Sequence, residues 1–215
     1  MKLHIAGDTH APEIFRRAAR HVGVTLCGIT EAQLVIVAQD TPTDADGTRD
    51  VEHISYLTRG ALAATTAPVV LTSQVEPGFT RRFDDVRLYH QAETLRIKDA
   101  YERALHPEQH IIGCMFPAAP LPLALVGWLA HFPAPVHQMT YEEAEFSKIA
   151  INVTLAVQVE NASQLAGKAA TYGCDWGRIK TVLQHDRRIG PHAYLEPGDW
   201  RESPHLLRDW KTLYG

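Results

Sequence analysis

Short apolar runs separated by helix-length segments constrain this chain more than any other feature. QLVIVAQ (33–39), PVVLTS (68–73) and QHIIGC (109–114) are apolar at consecutive positions rather than alternate ones. Strands of that kind need cover on both faces, as in a parallel sheet clad by helices. Residues 2–6 and 24–27 read as further short strands, and RLYH (87–90) as a weaker one. Between them, 12–21, 50–64 and 93–104 read as helices, with Pro12 in a first turn where its missing N–H costs nothing. The alternation predicts an α/β domain with a parallel sheet.

After FPAPVHQM (132–139) the character changes. No proline occurs from 141 to 172, and apolar residues recur at helical spacing at Phe146, Ile149, Ala150, Val153, Val157 and Leu165. A helix of about 30 residues exceeds what a small domain needs, which points to an intersubunit or interdomain role. A second helix over 176–183 follows the YGCD turn, where Gly173 suits a C-cap and Asp175 an N-cap. The chain is expected to divide at 137/138, with a sheet domain over 1–137 and a helical dimerisation domain over 138–215 in a homodimer.

Composition removes several function classes. A net charge of −4 and the lack of a basic stripe argue against nucleic acid as a partner. The longest apolar run, 111–132, is broken by Pro117, Pro120 and Pro122 and predicts no membrane span. With no leader-like N-terminus, the expected location is cytoplasmic. Cys27, Cys114 and Cys174 are too far apart in sequence for a zinc-type pair and read as buried, reduced thiols.

The first strand ends in AGDTHAPE (6–13). Asp8-x-His10 after a strand also opens two-metal phosphoesterases, but these need further Asn-His and His-x-His loops. No Gly-Asn-His, Gly-His-x-His or His-Glu-x-x-His occurs, so no metal site is expected. A plain turn with a helix-capping role fits better.

Four stretches, in order, resemble the UDP-glucose/GDP-mannose dehydrogenase family. VIVAQDTPTDADGTRD (35–50) is similar to its strand, Thr-Pro turn and Asp-x-Asp-Gly loop, and VVLTSQVEPGFTRRF (69–83) to its Ser-Thr-Val-Pro-Pro-Gly-Thr loop. AETLRIKDAYERALHPEQHIIG (92–113) is similar to its Pro-Glu-x-Leu segment. AEFSKIAINVTLA (144–156) with YGCDWGRIKTVLQHDRRIGPHAYLEPG (172–198) looks like its central long helix and Asp-x-Arg-Ile-Gly segment. The resemblance implies an abbreviated Rossmann-like parallel-sheet domain followed by an α-helical dimerisation domain on a long central helix. It also implies NAD as cofactor and a nucleotide sugar as substrate.

Carried over residue by residue, the resemblance assigns catalytic roles to Glu93, Lys148, Asn152, His205 and Asp209. Lys148 and Asn152, four apart on one helix face, match the pair that stabilises the oxyanion during hydride transfer. Glu93 matches an acid that works through water, although Ala92 stands where the family has Pro. Arg188 and Gly190 match a sugar-site arginine and glycine, and Gly7, Thr41, Pro42 and Ser73 fall at cofactor-binding positions. Gln74 replaces the Thr of the Ser-Thr-Val loop.

The departures carry chemistry. Counting without gaps from Pro197-Gly198, the family's Lys-Asp pair falls on Arg208-Asp209 and its catalytic Cys on His205, and DWRESP (199–204) replaces the glycine-rich loop. That family oxidises a sugar C6 alcohol to a carboxylate in two steps, its Cys thiolate trapping the aldehyde as a thiohemiacetal. Imidazole forms no such stable adduct. A dinucleotide fingerprint also needs Gly-x-Gly-x-x-Gly and an acid about 20 residues on, whereas this turn has one Gly and Asp8. The chain ends at Gly215, before the family's C-terminal nucleotide-binding domain. A divergent, truncated and impaired member is therefore expected, with a non-catalytic dimeric sugar-nucleotide-binding or partner module as the alternative.

Overall fold

The computed structural model describes residues 1–44, 47–93, 95 and 97–215, so parts of the expected 40–47 turn and 93–104 helix lie outside it. The chain forms two compact units. The first, Met1–Asp44 with Arg49–Lys148, holds a seven-stranded sheet. Its strands are β1 (Lys2–Ala6), β2 (Thr25–Leu26), β3 (Leu34–Val37), β4 (Val69–Leu71), β5 (Leu88–Gln91), β6 (His110–Cys114) and β7 (Val136–Thr140). They lie in the order β2-β1-β3-β4-β5-β6-β7. The helices are α1 (His10–His21), α2 (Glu52–Ala64), α3 (Ala100–Leu105) and α4 (Leu123–Leu129).

The consecutive apolar runs serve both faces, as their pattern requires. Leu34, Ile36 and Ala38 join Leu3, Ile5, Phe15, Ala18, Leu125 and Trp128 in one core, bringing in α1 and α4. Val35 and Val37 join Ile54, Val69, Leu71, Phe79 and Leu88 in the other, with α2. Each of the Val, Leu, Ile and Phe side chains contributes about 1.5–3 kcal/mol on burial. Parallel pairing holds at every neighbour except β5–β6, where His90 opposes Gly113 in antiparallel sense. The sequence could not show this reversal, because a strand buried on both faces reads alike in either direction.

Two elements of this unit escaped the sequence reading. α4 follows Pro122, its N-cap residue, and has only seven residues inside a proline-rich tract. β7 is half-exposed, with little alternation to mark it, and it straddles residues 137 and 138. The 93–104 helix is shorter than expected: Ile97–Asp99 form a single 3-10 turn before α3.

The second unit comprises Ile149–Gly215 with Gly47 and Thr48. Most of it is helix: the greater part of α5 (Tyr141–Thr171), then α6 (Trp176–His185) and α7 (Pro204–Tyr214). α5 begins in the first unit with a reciprocal cap, in which the Thr140 amide donates to Glu143 Oε2 at 2.8 Å and the Glu143 amide to Thr140 Oγ1 at 3.3 Å. It ends as the spacing predicted, at Gly173 with φ +69°, where the Cys174 amide reaches back to Ala169 O at 3.0 Å. Asp175 caps α6 by accepting from the Gly177 amide at 2.8 Å. The DWRESP segment forms a 3-10 turn at Trp200–Glu202 that leads into α7, an element the sequence reading lacked. Trp200 packs on Trp210 at 4.8 Å between ring centroids, and its Nε1 donates to Glu160 Oε2 at 3.0 Å.

β6 meets the head of α5 at Gly113, where an added Cβ would lie 2.8 Å from Ala144 Cβ and 3.0 Å from Tyr141 Cα. Both neighbours are fully buried and have nowhere to move. Gly113→Val is expected to destabilise the protein by about 3 kcal/mol through overpacking. The measurement is the urea midpoint at unchanged m-value; a midpoint within error of wild type would refute it.

Candidate functional site

In an open sheet wound in both directions, the ligand crevice lies at the carboxyl ends of the strands where the winding reverses. Here that point is between β1, which leads to β2 on one side, and β3, which leads to β4 on the other. Gly7 ends β1 with φ +121°, and a Cβ there would overlap the Ala38 carbonyl oxygen. The glycine is needed to bring the β1 turn against the end of β3.

The turn after Gly7 is not a phosphate cradle. The N-cap residue of α1 is Thr9, whose side chain makes no capping bond. A carboxylate from elsewhere does the capping: Asp40 Oδ2 accepts from the His10 amide at 3.0 Å and from the Ala11 amide at 3.5 Å. Asp40 in turn donates its own amide to Thr9 Oγ1 at 2.9 Å, and the Asp8 amide donates to Gln39 Oε1 at 3.2 Å. The capping role expected within the AGDTH turn therefore belongs to Asp40, because Asp8 points its amide, not its carboxylate, into this network. The amides that a dinucleotide pyrophosphate would use already hold an anion, so these residues do not fit that group.

Of the other expected cofactor positions, Thr41 donates its hydroxyl to Gln74 O at 2.8 Å, and buried Ser73 accepts from the Gln39 amide at 3.1 Å. Pro42 accepts from the Asp50 amide at 2.9 Å, which closes the turn. All three tie loops of the first unit together.

Ser73 also lines a cavity of about 10 Å³, room for about one water. Gln74, His90, Glu93, Glu145 and Lys148 line it too, so the structure brings Ser73, Glu93 and Lys148 together. Withdrawal from water raises the Glu93 carboxyl to about 7, against the pull of the Lys148 ammonium and the Leu95 amide, and the Asp40 carboxylate adds to the rise. The sequence reading missed two members of this cluster. Glu145 accepts from the Gly78 amide at 2.6 Å and the Thr80 amide at 2.8 Å, yet burial still raises its pKa. His90 is buried, is held neutral down to about pH 4 by desolvation, and has no partner for Nδ1 among the described residues. Neither carried a sequence signal, since one looks like a helix acid and the other like a strand residue.

In the second unit, Asn152 and Asp209 form a buried pair, Asn152 Nδ2 donating to Asp209 Oδ2 at 2.6 Å. The adjacent Arg208 donates its Nε to Asp209 Oδ1 at 3.2 Å, also out of water. Lys148 precedes Asn152 by one turn of α5. His205 is exposed near the start of α7, one turn before Asp209. Arg188 is exposed and forked on Asp186 at 3.0 and 2.8 Å, just before Gly190 with φ +84°. A larger cavity of about 380 Å³ in this unit, lined by Lys180, Gln184, His192, Tyr194 and Glu196, includes none of the expected residues.

Cys114 is buried as expected, but Cys27 is only half-buried and Cys174 is exposed, because it follows the α5 C-cap at the surface. HPEQH (106–110) has a His-x-x-x-His spacing that the sequence reading overlooked. The two histidines do not share a helix face: α3 ends at Leu105, and His110 opens β6 with Nε2 on Phe132 O at 2.7 Å.

Glu93 and His90 give opposite pH slopes. Folded Glu93 keeps its proton to about pH 7 against 4.5 unfolded, so its share of stability falls as pH rises through that window. Folded His90 resists protonation to about pH 4 against 6.5 unfolded, so its share falls as pH drops. Relative to wild type, Glu93→Gln should lose stability on acidification from 6.5 to 4, and His90→Asn on alkalinisation from 4.5 to 7, with slopes of up to about 1.4 kcal/mol per pH unit. Denaturant midpoints across pH measure both, and curves parallel to wild type for both variants would refute the assignment.

No family model matches the chain. It is 28% identical over 182 residues to a UDP-glucose 6-dehydrogenase of Pseudomonas aeruginosa, an alignment that covers 77% of this chain and 40% of that protein. It is 22% identical over 184 residues to a UDP-glucose 6-dehydrogenase of Bacillus subtilis, covering 80% and 41%. The chain thus spans about 40% of the length of these curated relatives. Among solved structures, a UDP-glucose dehydrogenase from Pyrobaculum islandicum matches 99% of this chain and 67% of its own, at TM-score 0.69 and 21% identity. A GDP-mannose dehydrogenase from Pseudomonas aeruginosa, solved as a ternary complex, matches 87% and 48%, at TM-score 0.66 and 20% identity. The structures establish the shared Rossmann-like and helical fold, and the curated relatives to which the sequence is similar are UDP-glucose 6-dehydrogenases.

Proposed function

We propose that the chain is a nucleotide-sugar dehydrogenase-like protein that keeps part of the family's acid–base scaffold and does not carry out the four-electron oxidation. The observation that carries this reading is the cavity in which Glu93, poised near pH 7, shares its walls with Lys148 and Ser73. A carboxyl with that pKa can exchange protons at neutral pH, and an ammonium beside it can steady a developing alkoxide.

The thiol is what this reading lacks. His205 stands at the nucleophile position, and an imidazole base cannot hold the aldehyde as a covalent adduct for a second oxidation. The substrate class is a UDP- or GDP-sugar, inferred from the relatives, with Arg188 and Gly190 in the sugar-binding role. At most one two-electron step remains.

A second reading is a non-catalytic dimeric module that binds a sugar nucleotide or pairs with a partner enzyme. The Asp40 carboxylate on the α1 amides favours it, since an NAD-dependent step needs those amides. The dimer would form through residues 138–215. On α5, Phe146, Val157 and Leu165 remain exposed at 46%, 51% and 44%, while Val153 is already covered within its own chain. Val157→Asp is therefore expected to shift the protein toward monomer in sedimentation at micromolar concentration; a wild-type monomer would refute the dimer.

The test of function assays NADH formation with UDP-glucose and with GDP-mannose, for wild type and His205→Cys, beside calorimetry of each sugar nucleotide. We expect binding of a sugar nucleotide and no sugar acid from either protein. Robust turnover to the acid, at ordinary rates of about 1 per second or more, overturns the impaired reading. Binding without oxidation to the aldehyde supports the module.

A further inference from the structure

At the head of α1 the fold prepares a seat for an anion. Helix-terminal amides and the positive end of the helix dipole meet there, at the reversal point of the sheet. We propose that Asp40 is the resident anion of this seat, and that it shuts phosphate and dinucleotide pyrophosphate out of the β1–β3 crevice. The inference stands on this loop geometry and does not depend on the nucleotide-sugar reading.

Three features keep the seat occupied. The carboxylate lies on the first amides of α1, with Oδ2 3.0 Å from the His10 amide and 3.5 Å from that of Ala11. Asp40 is held in place from behind, through its own amide on Thr9 Oγ1 at 2.9 Å. The neighbouring Gln39 is anchored twice, by its amide on Ser73 Oγ at 3.1 Å and by its Oε1 under the Asp8 amide at 3.2 Å. The loop after β3 and the loop after β1 thus clasp each other, and Gly7 permits the approach because no Cβ stands between it and Ala38.

A fingerprint turn leaves its amides open so that a phosphate completes them. This turn completes itself. A phosphate entering here would have to displace a tethered carboxylate, which competes as an intramolecular ligand. It would then remain beside the displaced charge. An acid at the end of the third strand in sequence thereby has a role opposite to cofactor binding: it supplies the negative charge instead of selecting a ligand that carries one.

The test uses the full chain at low ionic strength, with inorganic pyrophosphate and NAD as probes. Binding is read by calorimetry and by the amide resonances of His10 and Ala11. In wild type, millimolar pyrophosphate should leave these two resonances in place. In Asp40→Ala they should move on titration, with affinity for pyrophosphate raised about tenfold, the scale of one charge at a helix terminus. Asp8→Asn removes an equal charge from the same turn without vacating the amides, and it should show no such gain.

If Asp40→Ala fails to fold, Asp40→Asn keeps an acceptor and loses the charge, and a smaller gain of the same sign is expected. Micromolar NAD binding by wild type with movement of His10 and Ala11 overturns the proposal. So does a folded Asp40 variant that gains nothing, or an Asp8→Asn gain equal to that of Asp40→Ala, which would make the effect one of general field and not of occupancy.

Discussion

β1 and β3 run side by side in parallel, Leu3 against Leu34 through Ala6 against Val37, so their carboxyl ends emerge together. Whatever leaves those ends has to share one small space. Gly7 is the residue that allows it, because its φ of +121° turns the chain and its missing side chain lets it touch the Ala38 carbonyl. From this pair the sheet extends to β2 on one side and through β4 to β7 on the other, and both cores draw alternate residues from β3. The central strands fix the fold, and their ends fix what the fold can bind.

The sequence made the central strands readable because burial on both faces leaves an unbroken apolar run. It made α5 readable for a similar reason: thirty-one residues without proline, with apolar residues at helical spacing and a close at Gly173, leave little room for another structure. Elements that depend on tertiary support were not readable. α4 is seven residues long beside prolines, β7 is half-exposed, and α7 begins inside a segment that had to be compared with a glycine-rich loop. Such pieces have too few residues for periodicity to emerge and owe their form to what they pack on.

The site was legible in a similarly uneven way. Glu93, Lys148, Asn152 and Asp209 were named through the family resemblance, and spacing alone adds only that Lys148 and Asn152 share one helix face. The partners that define their environment could not. Asp40 caps a helix thirty positions earlier in the chain, and His90 meets Glu93 only through the local path of the loop after β5. Long-range hydrogen bonds leave no local pattern, and a buried imidazole in a strand is written no differently from an exposed one.

Glu145 joins α5 to the loop after β4 through two amides, those of Gly78 and Thr80, and it sits one turn before Lys148 on the same helix. The cavity's wall at Ser73 to Val75 belongs to the same loop, a few residues before Gly78, and its cation comes from that helix. A brace of this kind makes positional error common to both parts. Because Glu145 holds the Gly78 and Thr80 amides at 2.6 and 2.8 Å, the loop and the first turns of α5 are positioned together. A wall of the cavity carried on a loop thus takes its position from α5.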